Sequence, residues 1–207
     1  MKERILVRID FQNDFVASDG NLTINSPELI VRHKRFNQSL QKGMFTKIID
    51  AADTHFEETY SQTKEAESFP LHTVYGTWGW QKAAKFKDNI PVINIYKSTT
   101  NLWNEEKTYA LLQQNWKGKD VYLSGVLSDI CVKQAMNGFL QRGANVTILD
   151  DLCLGANQQM PEILQKPVYQ KAIDAGFLHM MTSQQFFRMI LNEKKCQLNF
   201  AQKGKEM

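Results

Sequence analysis

Short β-rich runs and helical stripes alternate along this chain. Arg4–Ile9, Lys47–Ala52, Pro91–Tyr96, Val121–Ser124, Asn145–Leu149 and Phe177–Met181 are apolar or β-branched runs of strand length. Between them, Leu29, Phe36 and Leu40 form one helical stripe, opened by Ser26, Pro27 and Glu28 and stopped at Gly43. Asn104 opens a second helix carrying Tyr109, Leu112 and Trp116, closed by Gly118. Val132, Ala135, Met136, Phe139 and Leu140 repeat with helical period up to Gly143. Pro161 and Pro167 interrupt a helical segment between Asn157 and Ala175, and Ser183 caps a last helix with Phe186, Phe187, Ile190 and Leu191. This alternation predicts a three-layer α/β/α sandwich around a mostly parallel, doubly wound sheet. Residues 1–192 are expected to form one domain, and the polar, basic 193–207 a flexible tail.

Composition narrows the class without naming a chemistry. The chain has 207 residues, 43% hydrophobic and 23% charged, which is ordinary for a globular fold. Its net charge of +3 comes partly from Lys194, Lys195, Lys203 and Lys205, weak grounds for nucleic-acid binding. Three cysteines without paired spacing suit a reducing cytoplasm better than a disulfide framework. No stretch reads as a membrane span or a signal peptide, and no GxGxxG or GxxxxGK[ST] loop occurs. The expectation is a cytoplasmic protein without nucleic-acid or membrane partners.

In open α/β sheets, ligands bind beyond the carboxyl ends of the strands. Asp10, Lys97, Cys131 and the segment from Asp53 all fall there. Cys131 lies where the turn after the fourth strand becomes a helix that Ser128 or Asp129 can cap. Backbone N–H groups and the helix dipole at that position favour a thiolate. Asp10 could serve as its base and Lys97 as the cation that supports developing charge. Asp53 and His55 stand two apart on an extended segment, so their side chains share one side. With His72, and Glu65 as a further candidate, they could close a mixed N/O site of the kind zinc, iron or manganese accepts. The segment 53–77 lacks periodicity, as long functional loops do. His33 reads as a helix-surface residue, His179 as part of a strand, and Cys153 as a buried strand-end residue.

Together these blocks resemble the isochorismatase-like cysteine hydrolases, and within them the nicotinamidase group. DFQNDF (10–15) is similar to the opening D-x-Q-N-D-F; ADTHF (52–56) and FPLHTVYGT (69–77) are similar to the metal-holding blocks. IYKSTTN resembles the strand end with the catalytic lysine, GVLSDICV (125–132) the nucleophile motif, and DDLCLG the block after it. The resemblance covers roughly Arg4 to Met181. It implies hydrolysis of a small amide, nicotinamide first, by attack of Cys131 to give a thioester. Asp10 would shuttle the proton, Lys97 would support both, and the backbone N–H groups of Leu127 and Cys131 would form the oxyanion hole. It further implies a cis peptide entering Leu127, one divalent metal ion, zinc first, on Asp53, His55, Glu65 and His72, and a homo-oligomer.

Departures from the family pattern bear on substrate more than on reaction class. Thr54 stands where the group has Trp, Leu127 and Ser128 where it has Ala and Thr, and STTNLWNEEK replaces the usual segment after the lysine. Phe15, Trp78 and Trp103 are candidate aromatic walls of the substrate pocket. The alternatives are a family hydrolase of a different small substrate, or a non-catalytic member that binds metal or ligand.

Overall fold

The computed structural model describes residues 3–104 and 112–203, with side chains as far as Cys196. Six strands pair in one sheet: β1 (Arg4–Ile9), β2 (Lys47–Asp53), β3 (Val92–Lys97), β4 (Asp120–Val126), β5 (Asn145–Leu154) and β6 (Leu178–Met181). Their order is β3-β2-β1-β4-β5-β6, and every pair is parallel. The sheet is therefore doubly wound, with its topological switch between β1 and β4.

Alternation along the central strands divides the core into two layers. Ile5, Val7 and Ile9 point to one face with Val121, Leu123, Val146 and Ile148. That face is covered by Val132, Ala135, Met136 and Phe139 of the Lys133–Gln141 helix region and by Ile163, Leu164 and Tyr169. Leu6, Tyr122 and Leu149 point to the other face, under Phe36 and Leu40 of the Pro27–Ser39 helix and Phe186 and Ile190 of the last helix. Central strands buried on both faces explain why β1 and β4 are almost continuously apolar.

Several elements differ from their sequence reading for definable reasons. The interrupted segment after Asn157 is two helices, Met160–Leu164 and Pro167–Asp174, each with proline in its first turn. Proline lacks the N–H an interior position needs, so each one starts a helix rather than bending it. The last helix runs Ser183–Lys203, so helix continues into the basic segment beyond residue 192. Its Glu, Lys, Gln and Ala content favours helix, and Arg4 holds Glu193 at 2.5 Å. Most of the helix expected from Asn104 falls on 105–111, outside the described residues.

His33 is 1% exposed rather than on the helix surface. It stacks on Phe11 at 3.6 Å and its Nε2 meets the Leu152 carbonyl at 2.9 Å. Burial, reinforced by Arg8, pushes its pKa down to about 3, so it is a neutral core group. Arg8 makes a two-pronged buried pair with Asp50, at 2.9 and 2.6 Å, and donates to the Ala84 carbonyl. Lys82 adds a contact to Asp50 at 3.1 Å. This paired charge cluster ties the 82–84 segment beneath the sheet edge that carries the site.

Candidate active site

Three strand ends deliver the charged groups. β1 ends at Ile9, opposite Ala51 of β2 and Gly125 of β4, so the next residue, Asp10, emerges at the switch point. Asp10 takes a left-handed conformation (φ 50°) and is fully buried. β2 and β3 place Asp53 directly opposite Lys97. Lys97 Nζ stands 2.7 Å from Asp10 Oδ2 and 3.2 Å from Asp53 Oδ1, and donates to the Thr99 carbonyl at 2.9 Å. One buried ammonium thus bridges two buried carboxylates.

β4 supplies the cysteine through a tight turn. The Val126–Leu127 peptide is cis, and the Leu127 carbonyl accepts from both Ile130 and Val132 N–H at 3.1 Å. Ser128–Val132 is consequently a π-helical turn that leads into the α-helix Lys133–Gln141. Such turns put one extra residue into the coil and often occur at functional sites. Asp129 does not cap this helix: its carboxylate accepts from Ala156 and Asn157 N–H at 3.0 and 2.9 Å, tying the turn to the loop after β5.

Electrostatics around Cys131 differ from what its place near a helix start suggests. Burial, aided by the Asp10 and Asp53 charges, raises the thiol well above its ordinary range despite the opposing pull of Lys97. Burial is also the main cause that lifts Asp10 to about 6; Lys97 limits the rise and Asp53 adds to it. Burial works against charge on Lys97, yet Asp10 and Asp53 together hold it protonated well above the usual lysine range. The resting triad is therefore thiol, carboxylate and ammonium at neutral pH. Cys131 and Asp10 each shift the other's titration, so the two groups act on one another directly at the site.

The donor atoms of Asp53, His55, Glu65 and His72 lie within 4.8 Å of one another, and all four residues are buried. His55 Nε2 is 3.0 Å from Asp53 Oδ2 and 3.1 Å from Glu65 Oε2; His72 Nε2 is 3.0 Å from Asp53 Oδ2. His72 Nδ1 meets the Pro70 carbonyl at 2.7 Å, an outer contact that turns Nε2 inward. Glu65 Oε1 is buried without a hydrogen-bond partner. Two imidazoles and two carboxylates, one with an unpaired buried oxygen, fit a divalent ion such as zinc. Burial disfavours charge on His55, but its bonds to Asp53 and Glu65 prevail and raise it to about 9. A proton there satisfies the same acceptors a cation would.

A small cavity touches both centres. Phe15, Leu22, Phe69, Thr100, Leu127 and Ile130 line it beside Cys131, Lys97, Asp53, Glu65 and His72. Its volume is about 20 Å³, enough for one water. Phe15 is one of the lining residues, its ring 5.4 Å from that of His72. Trp78 and Trp103 are not among the lining residues. Trp78 is 49% exposed, and Trp103 packs on Trp116 and Phe139 with Arg142 over its other face. Leu22 and Ile130 carried no signal in the sequence, whereas Phe69 is the first residue of the FPLH block and Thr100 falls in the STTNLWNEEK segment whose departure bears on substrate.

Gln12 fixes the position of Asp53. Its amide accepts from Asp53 N–H and donates to the Asp53 carbonyl, both at 2.8 Å, and donates again to the Trp80 carbonyl at 2.9 Å. Trp80 in turn donates its indole N–H to Thr54 Oγ1 at 3.0 Å, so an indole covers the position at which the family pattern has tryptophan.

Comparison with known proteins finds relatives of this chain and of its fold. The Isochorismatase domain family model matches residues 4–175. An uncharacterized isochorismatase family protein PncA of Bacillus subtilis is 28% identical over 170 residues, covering 76% of this chain and 89% of that protein. The nicotinamidase of Saccharomyces cerevisiae is 24% identical over 202 residues, covering 79% and 93%. Among solved structures, the pyrazinamidase of Pyrococcus horikoshii in complex with zinc superposes with a TM-score of 0.65 at 20% identity, covering 87% of this chain and 99% of that one.

Proposed function

The chain belongs to the isochorismatase family, and from that membership we propose that it is a metal-containing cysteine amidohydrolase acting on a small aromatic carboxamide, nicotinamide first. The observation that carries this reading is the single buried ammonium of Lys97 joining Asp10, beside Cys131, to Asp53 of the four-residue donor cluster. The nucleophile and a ring-orienting cation site would then face one cavity, with Asp10 joined to it through Lys97.

Cys131 Sγ attacks the carboxamide carbon as its proton passes to Asp10. Lys97 keeps Asp10 ionised until that moment, which matters because burial alone pushes the carboxyl toward neutrality. The backbone N–H groups of Leu127 and Cys131 receive the developing oxyanion. Protonated Asp10 then gives its proton to the departing nitrogen, ammonia leaves, and a thioester remains. Water attacks the thioester with Asp10 again accepting the proton, and the carboxylate product departs as the thiol re-forms. Asp53, His55, Glu65 and His72 would hold a divalent ion such as zinc, which would supply Lewis acidity for orienting the substrate. Phe15 and Phe69 flank the space where the ring would stand.

The reading is tested by ammonia release from a panel of nicotinamide and related heteroaromatic and aliphatic amides. Turnover of an aromatic amide, abolished in Cys131→Ala, is expected. A full panel without turnover would defeat the substrate assignment.

A further inference from the structure

Asp14, the second acid of the DFQNDF run, takes no part in the chemistry above and is nonetheless 3% exposed. Its two carboxylate oxygens are divided between separate segments. Oδ2 accepts from Thr73 N–H at 2.6 Å, and Oδ1 accepts from Asn21 N–H at 3.0 Å. The Asp14 carbonyl also accepts from Leu22 N–H at 3.1 Å.

Each segment ends in a wall of the site. Thr73 directly follows His72 and is left-handed (φ 45°), a conformation that costs a β-branched residue about 1–3 kcal/mol and persists only when its surroundings fix it. Three contacts hold it: its N–H to Asp14, its Oγ1 to Asp53 Oδ2 at 3.1 Å, and its carbonyl to His55 N–H at 3.1 Å. Leu22 lines the cavity at Cys131. The chain also makes room for the Asp14 carboxylate, because a Cβ at Gly79 would lie 2.3 Å from it.

We propose that Asp14 is a positioning residue that couples the metal site to the substrate cavity, one carboxylate oxygen fixing the turn that aims His72 and the other the loop that places Leu22. The inference rests on the metal-containing reading of the preceding subsection. Two backbone donors need two acceptor oxygens, a requirement an aspartate meets and an asparagine of the same shape does not. In Asp14→Asn one of the two N–H groups faces an NH₂, so one segment must shift.

The test compares wild type, Asp14→Asn and Gly79→Ala by zinc affinity, from competition with a chromophoric chelator, and by the rate of iodoacetamide modification at Cys131. An Ile190→Val variant, in the core layer on the other face of the sheet from Cys131, controls for general destabilisation. Zinc binding about 10- to 100-fold weaker in Asp14→Asn is expected, the range found when outer contacts of metal ligands are lost. Cys131 should be modified several-fold faster as Leu22 loosens, with Ile190→Val close to wild type in both assays. Gly79→Ala should move both in the same directions. Zinc affinity within about twofold of wild type, or unchanged modification of Cys131, overturns the coupling while leaving the metal reading intact. A wild-type protein that binds no zinc overturns the metal reading itself.

Discussion

Lys97 Nζ lies 2.7 Å from Asp10 Oδ2, and both side chains are shut off from solvent. A buried pair of this kind is strongly destabilised when one partner is removed, because the other charge is left without compensation. Lys97→Met removes the cation from two carboxylates at once, since Asp53 is its second partner at 3.2 Å. A loss of about 3–5 kcal/mol in urea unfolding is expected, together with loss of amidase activity. A variant as stable as wild type would show that Lys97 does not neutralise this pair.

The raised pKa of Asp10 sets the acid limb of activity. A base must be ionised, so kcat/KM should fall as pH drops through about 6, the value to which burial lifts this carboxyl against the pull of Lys97. Loading the metal site offsets the Asp53 charge, which is one of the influences raising Asp10, so the metal-loaded enzyme should inflect at lower pH than the metal-depleted one. A pH profile flat from 5 to 8 in both forms would exclude Asp10 as the base.

Thiol reactivity separates a pre-formed thiolate from a thiol activated in place. Burial keeps Cys131 protonated at neutral pH, whereas Cys196 is exposed. Limited iodoacetamide treatment read by mass spectrometry should therefore label Cys196 before Cys131. Faster labelling of Cys131 would mean that Lys97 and the turn N–H groups outweigh burial.

How much of this was legible in the sequence depended on whether local pattern or tertiary contact decided each feature. The central strands were readable because strands buried on both faces are almost continuously apolar, as Val121–Leu123 is and Ile5–Ile9 is apart from Arg8, whereas the partly exposed edge strands β3 and β6 showed only as short apolar runs. Asp10, Lys97 and Cys131 were readable because each lies at a strand end, which the parallel topology brings to one edge. Burial was not readable. His33 sits among polar neighbours in sequence, and only Phe11 and Leu152, far along the chain, make its site apolar. Desolvation of Cys131 escaped for the same reason: a helix-start argument counts local dipoles and misses the walls other segments build. Trp78 and Trp103 were assigned to the pocket on residue type, while their surroundings are set by solvent for one and by Trp116 and Phe139 for the other.

Metal removal should be visible without any substrate. A ligand that binds only the folded state stabilises it by about 2.7 kcal/mol at a hundredfold excess over Kd. Zinc should accordingly raise the Tm of chelator-stripped protein, with one equivalent bound. His72→Ala should abolish the Tm rise and leave the sheet intact, since it deletes one of four donors while residue 72 takes part in no strand pairing. An equal zinc-dependent shift in that variant would place the ion elsewhere.

Two aromatic substitutions distinguish cavity wall from core. Phe69 lines the space beside Cys131 and His72, 6.3 Å from the His72 ring, and is half-buried. Phe69→Ala should raise KM for an aromatic amide about five- to thirtyfold, the equivalent of ~1–2 kcal/mol of lost ring contact, with little change in stability. Trp103 instead meets Phe139 edge-on at 4.8 Å and donates its indole N–H to the Ala135 carbonyl at 3.3 Å, behind the helix that follows the nucleophile. Gly138 lets the indole approach that helix, since a Cβ there would fall 1.8 Å from its nitrogen. Trp103→Ala should therefore cost about 2–3 kcal/mol of stability and leave KM near wild type at temperatures where the variant stays folded. The opposite split, KM raised by the Trp103 variant and unmoved by the Phe69 variant, would return the substrate to the segment after Lys97 and away from the wall that the FPLH block builds.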